Sequence, residues 1–367
     1  MRIVYLSSSV IPSRTANSIQ VMRMCEALGK AGHNTTLIGK QYADSLVEDI
    51  YGYYGVAECF DLVLIPCRRV KGVGLLMLPK IYACLRQYDP KEIVIYARDI
   101  YGASVAIRMG FRVIYEVHGL PYNRLIRHLE SSLLANRRLL RLVVISKSLC
   151  DLYTSRFDIA DRIVVCHDAA SATGPSNGDS PWPACRDTLQ IGYTGHLHQG
   201  RGIDIIIECA KRLPQYDFHL IGGDDKDILH WRPQATANLH FAGFVEPGLI
   251  PSVFRRCDIL VMPYQTNLTL PHIQVNTSAW MSPMKLFEYM ASRKAIIASD
   301  LPVLREVLDE RKAVLVPPDD TDRWVEAIRR CEDKRFRDSL AQNAYEAFLA
   351  DHTWEKRAAT VLSGVEV

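Results

Sequence analysis

Short apolar runs alternate with amphipathic stretches along almost all of this 367-residue chain, and the alternation stops once and restarts. Residues 2–6, 34–38, 61–65, 93–96, 113–116 and 142–145 are too short for buried helices and read as strands. Helical patterns separate them, among them residues 18–31, which close near Gly32. Such alternation requires parallel strands joined by crossover helices, hence a doubly wound α/β sheet. Residues 169–186 (AASATGPSNGDSPWPACR) are rich in Ser, Gly and Pro, lack periodicity and read as a linker. Strand patterns resume at 189–193, 218–221, 239–242, 259–262, 295–298 and 313–316, with helices at 203–213 and 284–292; from about residue 321 the pattern is helical. The expected organisation is a first α/β domain at 1–168 and a second at 187–350, facing across a cleft. Residues 351–367 form a C-terminal helix able to pack back on the first domain.

A 48% hydrophobic share excludes a disordered chain, and the length favours two domains. The net charge of +3 suits an anionic ligand but is too small to argue for nucleic acid. The ten cysteines form no C-x-x-C pair, which speaks against a disulfide framework and a structural zinc site and implies a reducing, cytoplasmic setting. Cys84, Cys209 and Cys257 read as small core residues. The apolar start, residues 1–6, is closed by Ser7–Ser9 and is too short for a signal peptide. No run approaches the roughly 18 apolar residues of a membrane span.

Ligands of open α/β sheets bind beyond the carboxyl ends of the strands, so the residues following each strand matter most. After strand 189–193 comes Gly195-His196-Leu197-His198-Gln199-Gly200-Arg201-Gly202. Its glycines admit a ligand to the backbone, Arg201 offers a fork of donors, and a helix N-terminus follows; together they favour an anion. A solvated strand-to-helix turn is the competing account. The Gly195–Gly200 spacing imitates a P-loop, but Arg201 and Gly202 stand where lysine and a hydroxyl are required. Further on, Ser282 reads as an N-cap and Pro283 as the first helical residue, leaving the amides of Met284 and Lys285 to face phosphate. Glu288, one turn in, can accept two hydroxyl hydrogen bonds from a ribose, or it is simply an exposed helix residue. In the first half, His118 follows strand 113–116 and can meet a sugar hydroxyl, or serve as a structural histidine. Arg98 follows strand 93–96 and either faces the cleft or pairs with Asp99.

In this combination the chain resembles the family-4 retaining glycosyltransferases of the GT-B fold, over essentially its whole length. The resemblance implies two Rossmann-like domains and transfer of a hexosyl group from a nucleoside-diphosphate sugar to a hydroxyl acceptor, with retention and without a metal. Gly195–Gly202 matches the family's glycine-rich loop, with His196 at the first basic position, normally Arg, and Arg201 at the second, on the diphosphate. Residues 282–300 match the nucleotide-sugar signature, and His118-Gly119 the histidine that contacts the donor sugar. Ala242-Gly243-Phe244-Val245 corresponds to main-chain contacts near the base. The implied catalytic residues are His118, Arg201 and Lys285. The implied donor set is Gly195, His196, Phe244, Val245, Ser282, Met284, Leu286 and Glu288. The acceptor side falls on Arg14, Asn17 and Arg98. Trp280 stands where the family has a second glutamate, eight residues before Glu288.

No cofactor is expected beyond the donor substrate, and no metal. Asp225-Lys226-Asp227 reads as a surface helix start, and His196 with His198 lacks a third ligand. The resemblance implies a role in glycan, polysaccharide or glycolipid assembly. A nucleotide-sugar-binding partner subunit without turnover, or a nucleotide-sugar epimerase on the same fold, are the rival readings. Basic residues flanking the apolar run in 67–80, with Arg124, Arg127, Arg137, Arg138 and Arg141, suit peripheral contact with an anionic inner membrane face. A core helix with solvated flanks accounts for the same run.

Overall fold

The computed structural model describes residues 1–45, 47–70, 73–172, 188–270 and 273–365. They form two compact units, residues 1–168 together with 354–367, and residues 169–353. Residues 173–186 of the expected linker, and 71–72 of the basic apolar run, lie outside the described residues.

The first unit is built on a parallel sheet of β1 (Arg2–Val10), β2 (Asn34–Tyr42), β3 (Asp61–Cys67), β4 (Ile93–Ala97), β5 (Arg112–Val117), β6 (Leu139–Val144) and β7 (Ile163–Val165). Its order is β3-β2-β1-β4-β5-β6-β7. The second unit carries β8 (Gln190–Thr194), β9 (Asp217–Ile221), β10 (Leu239–Gly243) and β11 (Ile259–Met262), then a β12–β13 hairpin (Thr269–Leu270 and Ile273–Asn276), then β14 (Ala295–Ser299) and β15 (Val314–Val316). Its parallel sheet runs β10-β9-β8-β11-β14-β15. Every residue of β4, β8, β9 and β14 is buried, as helices on both faces of a parallel sheet demand. Both orders reverse direction at the first strand of the unit, between β1 and β4 and between β8 and β11. There the crossover helices leave to opposite faces and a crevice opens at the strand ends.

The strand patterns of the sequence appear in register, with instructive departures. β1 does not stop at Leu6 but runs on through the serines. Its pairing with β2 shifts between Leu6 and Val10, and the buried Ser7 hydroxyl satisfies Ser9, donating to its Oγ (2.9 Å) and accepting from its N–H (3.0 Å). β7 and the β12–β13 hairpin are additional, too short to show a period. The run at 73–85 is two short helices, Val73–Leu76 and Leu78–Leu85, and not one core helix: Met77, Ile81 and Leu85 are buried while Leu75 and Leu76 are exposed. Cys209 and Cys257 are core residues, whereas Cys84 is half-buried.

The helical C-terminal part is three helices, Thr321–Arg330, Lys334–Asp351 and Trp354–Leu362, the first two capped by the carboxylates of Asp320 and Asp333. The last belongs to the first unit. Arg141, expected to face lipid, instead caps that helix: its guanidinium donates to the carbonyls of Thr360 (3.0 Å), Val361 (2.6 Å) and Ser363 (2.6 Å). No helix among the described residues is long and apolar enough to cross a membrane.

Candidate functional site

In the second unit, the chain leaves β8 at the sheet's reversal point and enters the loop 195–202. The Gly195 N–H extends the sheet by donating to the Ile221 carbonyl (2.8 Å), and Gly222 N–H does the same to Gly243 (2.7 Å). The ends of β8, β9 and β10 are thereby locked side by side. Gly195 has φ +127, and a Cβ there would lie 3.3 Å from the Lys285 ammonium. Gly202 has φ +74, and its Cβ would fall 1.9 Å from the Pro263 carbonyl oxygen. Only glycine allows the loop to close against Pro263, just past the end of the neighbouring β11. The loop is also pinned by side chains: the Tyr193 hydroxyl donates to the His196 carbonyl (2.7 Å) and the Trp231 indole to that of Leu197 (2.7 Å).

Two cations converge there on two buried tyrosines. The Arg201 guanidinium lies 4.9 Å from the Tyr264 ring centre; the Lys285 ammonium lies 3.8 Å from that of Tyr193 and 4.7 Å from that of Tyr264. Ring faces attract cations, but they supply no hydrogen-bond acceptor. The Lys285 Nζ is buried and, among the described residues, has no hydrogen-bond partner. Burial, reinforced by Arg201, holds its pKa well below the ordinary lysine value, with Glu288 pulling in the opposite direction. A buried ammonium beside a guanidinium and a helix N-terminus is chemistry suited to an anion.

Lys285 is the second residue of helix Met284–Ala291, whose N-cap is Pro283 and not Ser282. The shift of one residue from the expected start follows from the backbone of Pro283, extended at ψ 120. The amides of Met284 and Lys285 remain the first two of the helix, without an intrahelical acceptor. Leu286 is different. Its N–H donates to the Pro283 carbonyl (2.9 Å) and its side chain is in the core, so it is not available to a phosphate. Ser282 is buried just before the helix.

His196 stacks on His198 with ring centres 5.0 Å apart and planes 7° apart. Desolvation, with His198, Arg201 and Lys285 nearby, pushes its pKa below the usual histidine value. His198 is 3.2 Å from Asp227, in the helix Asp225–Trp231 that Asp224 caps. The Asp-x-Asp sequence is thus a helix start. Phe244 and Val245 follow β10, two strands from the glycine loop, with Phe244 exposed. Trp280 lies in the turn before the helix, its N–H on the Thr277 carbonyl (3.2 Å).

In the first unit, Arg98 follows β4 and joins the loops at its sheet reversal. It donates to the Asn17 carbonyl (3.1 Å), the Gln20 side chain (2.9 Å) and His118 Nδ1 (3.2 Å). It does not pair with Asp99, whose carboxylate caps the next helix by accepting from Gly102 N–H (2.8 Å). Because Arg98 can only donate, His118 Nδ1 accepts, and the proton sits on Nε2, which donates to Glu116 (2.6 Å). Burial and Arg98 keep the His118 pKa low, against the pull of Glu116. The expected sugar-facing histidine therefore has both ring nitrogens engaged.

Glu116 is the hub. It accepts from Gln20 (2.8 Å), from the Tyr96 hydroxyl and from Arg357 on the C-terminal helix (3.1 Å to each oxygen). Burial alone would raise its pKa, but Arg357, His118 and Arg98 hold the carboxyl well below the usual range. Around this network opens a cavity of about 350 Å³, lined by Lys40, Arg98, Asp99, His118, Tyr122 and Glu130 among others. Arg14 is exposed on the loop that precedes Asn17.

Residues 18–169 match the family model described as Glycosyltransferase Family 4, and residues 188–333 the one described as Glycosyl transferases group 1. The chain belongs to the family-4 glycosyltransferases of the GT-B fold. A Bacillus subtilis glycosyltransferase, TuaH, assigned by name to teichuronic acid biosynthesis, is 26% identical over 119 residues, 32% of this chain and 28% of that protein's length. Solved structures share the fold at low identity. Sucrose-phosphate synthase from Thermosynechococcus elongatus superposes with a TM-score of 0.71 (16% identity, 97% of this chain and 96% of that one). HepE from Anabaena, in complex with UDP-glucose, gives 0.70 (16%, 100% of both). A TarM variant from S. aureus, in complex with UDP, fondaparinux and α-GlcNAc-glycerol, gives 0.73 (9%, 98% and 99%).

Within this glycosyltransferase, Gly195, His196, Arg201, Met284, Lys285 and Glu288 gather at one end of the second sheet, and Asn17, Arg98 and His118 at one end of the first. Sequence reasoning missed Tyr193 and Tyr264, whose rings seat the cations. Tyr264 was discoverable, since it follows a strand at the reversal point. Glu116, Gln20 and Arg357 were not; nothing local marks three distant polar residues as one buried cluster.

Proposed function

We propose that this glycosyltransferase moves a hexosyl group from a nucleoside-diphosphate sugar to a hydroxyl acceptor with retention of configuration, in polysaccharide or glycolipid assembly. The observation that carries the reading is the Lys285 ammonium, buried beside Arg201 and the glycine loop with no acceptor of its own. Cleavage of the donor places new negative charge on the leaving diphosphate. Arg201, Lys285 and the amides of Met284 and Lys285 are fixed before that charge develops, so their reorganisation cost is small. They supply the charge that a metal supplies elsewhere, and the reaction needs none. The UDP-glucose and UDP in the complexes of two structural neighbours make uridine nucleotides the first probes.

Glu288 is assigned to the ribose hydroxyls. Its charge-assisted bonds are worth about 1.5–3 kcal/mol, or roughly 10–150-fold in affinity. Calorimetry with uridine diphosphate and its 2′-deoxy analogue tests this: the wild type prefers the ribonucleotide, and Glu288→Gln loses both affinity and preference. A variant that keeps the full preference removes Glu288 from the ribose. Trp280, in place of a family glutamate, supports a second reading in which the chain binds nucleotide sugar without turnover. Donor consumption in the presence of acceptor extracts separates the two.

A further inference from the structure

We propose that the glycine loop takes up a proton on His196 when an anion enters, so that the imidazole becomes a third cation on the ligand and affinity rises as the pH falls. The inference rests on the donor-site reading only in naming that anion a nucleoside-diphosphate sugar. His196 follows Gly195, where a Cβ would lie 3.3 Å from the Lys285 ammonium, and its own carbonyl accepts from the Tyr193 hydroxyl (2.7 Å). Its backbone is therefore pinned beside a fixed cation. One face of the ring is covered by His198, with centres 5.0 Å apart and planes 7° apart, while the residue stays exposed and open to a ligand. His198 is itself held 3.2 Å from Asp227.

Among the described residues, the charged and titratable groups facing His196 are His198 and Arg201 from the loop, Lys285 from helix Met284–Ala291 and Asp227 from helix Asp225–Trp231. Desolvation weighs most against the charged ring, and His198, Arg201 and Lys285 add to it; Asp227 pulls the other way. A diphosphate lying against Arg201 and Lys285 reverses that balance. Its negative charge offsets both cations and gives the imidazolium an acceptor. The ring then binds more protons in the complex than in the empty loop, so binding consumes a proton and tightens at lower pH. Each unit by which the anion raises the His196 pKa is about a tenfold gain in affinity. Lys285, whose pKa burial also lowers, is the competing site for the proton.

The probe is UDP-glucose, which carries no group that titrates across the histidine range, titrated calorimetrically into the full chain from about pH 5.5 to about pH 8. The expected result is an affinity about tenfold or more higher at the acid end, with net proton uptake when buffers of different ionisation enthalpy are compared. His196→Gln binds weakly with a flat pH profile, and His196→Arg, which keeps the charge at every pH, binds tightly with a flat one. A flat profile in the wild type, or a slope that survives His196→Gln and so belongs to Lys285, overturns the proposal and leaves the donor site standing. If UDP-glucose does not bind at any pH, the donor-site reading fails, and sulfate, a dianion throughout the range, decides the coupling. The His196 ring is then followed by NMR, its signal assigned by its loss in His196→Gln. Sulfate raises the midpoint of that titration if the coupling holds; an unmoved midpoint overturns it.

Discussion

Replacing Lys285 with methionine abolishes most nucleoside-diphosphate binding and at the same time raises the melting temperature of the empty protein. The two effects have one cause. The ammonium is buried over two tyrosine rings without an acceptor, so the ligand-free fold bears its desolvation. An unsatisfied buried polar group costs about 1–3 kcal/mol, and a methionine of similar length removes that cost while filling the same space. For a unit of this size the gain is a rise of a few degrees. A phosphate would supply the missing acceptor, and losing that charged bond lowers affinity by about 10–150-fold, from about 1.5–3 kcal/mol. Differential scanning fluorimetry with and without uridine diphosphate reads both effects on one sample. A variant that melts lower and binds as before would make Lys285 a structural residue.

Glu116→Ala is expected to be the most destabilising single change in the first unit, by about 3–5 kcal/mol, because it leaves the Arg357 guanidinium buried and uncompensated. Four side chains lose their acceptor together, among them His118, whose tautomer Glu116 fixes. The urea midpoint should fall sharply, and Arg357→Met should lower it too, because the buried Glu116 carboxylate then keeps only Gln20, Tyr96 and His118 as donors. The pH dependence has a definite sign. The folded pKa lies below the unfolded value, so the carboxylate's contribution is complete above about 4.5 and is lost as the pH falls through the folded value. Acid unfolding of the wild type should therefore be steep in that window and shallower in Glu116→Ala. A midpoint unchanged by the substitution would show that the cluster carries no stability.

The architecture was legible because a parallel sheet buried on both faces writes its strands as continuous apolar runs. Where polarity is satisfied locally the pattern fails, as at Ser7 and Ser9, which stay in β1 by bonding each other. The glycine loop and Arg201 were legible from their place after β8, and Lys285 from its place in a first helical turn. What was hidden is three-dimensional. Leu286 belongs to the core, in one buried cluster with Phe287, Tyr289 and Met290. Arg141 belongs to a helix end more than 200 residues away in sequence. His118 reads as a free hydroxyl ligand until Arg98 and Glu116 are seen to occupy both of its nitrogens.

A crystal structure of the protein with uridine diphosphate tests the central claim most directly. The account places the two phosphates within hydrogen-bonding distance of Lys285 Nζ, the Arg201 guanidinium and the amides of Met284 and Lys285. Phosphates bound away from the loop at 195–202, with Lys285 still buried and unpartnered, would contradict it.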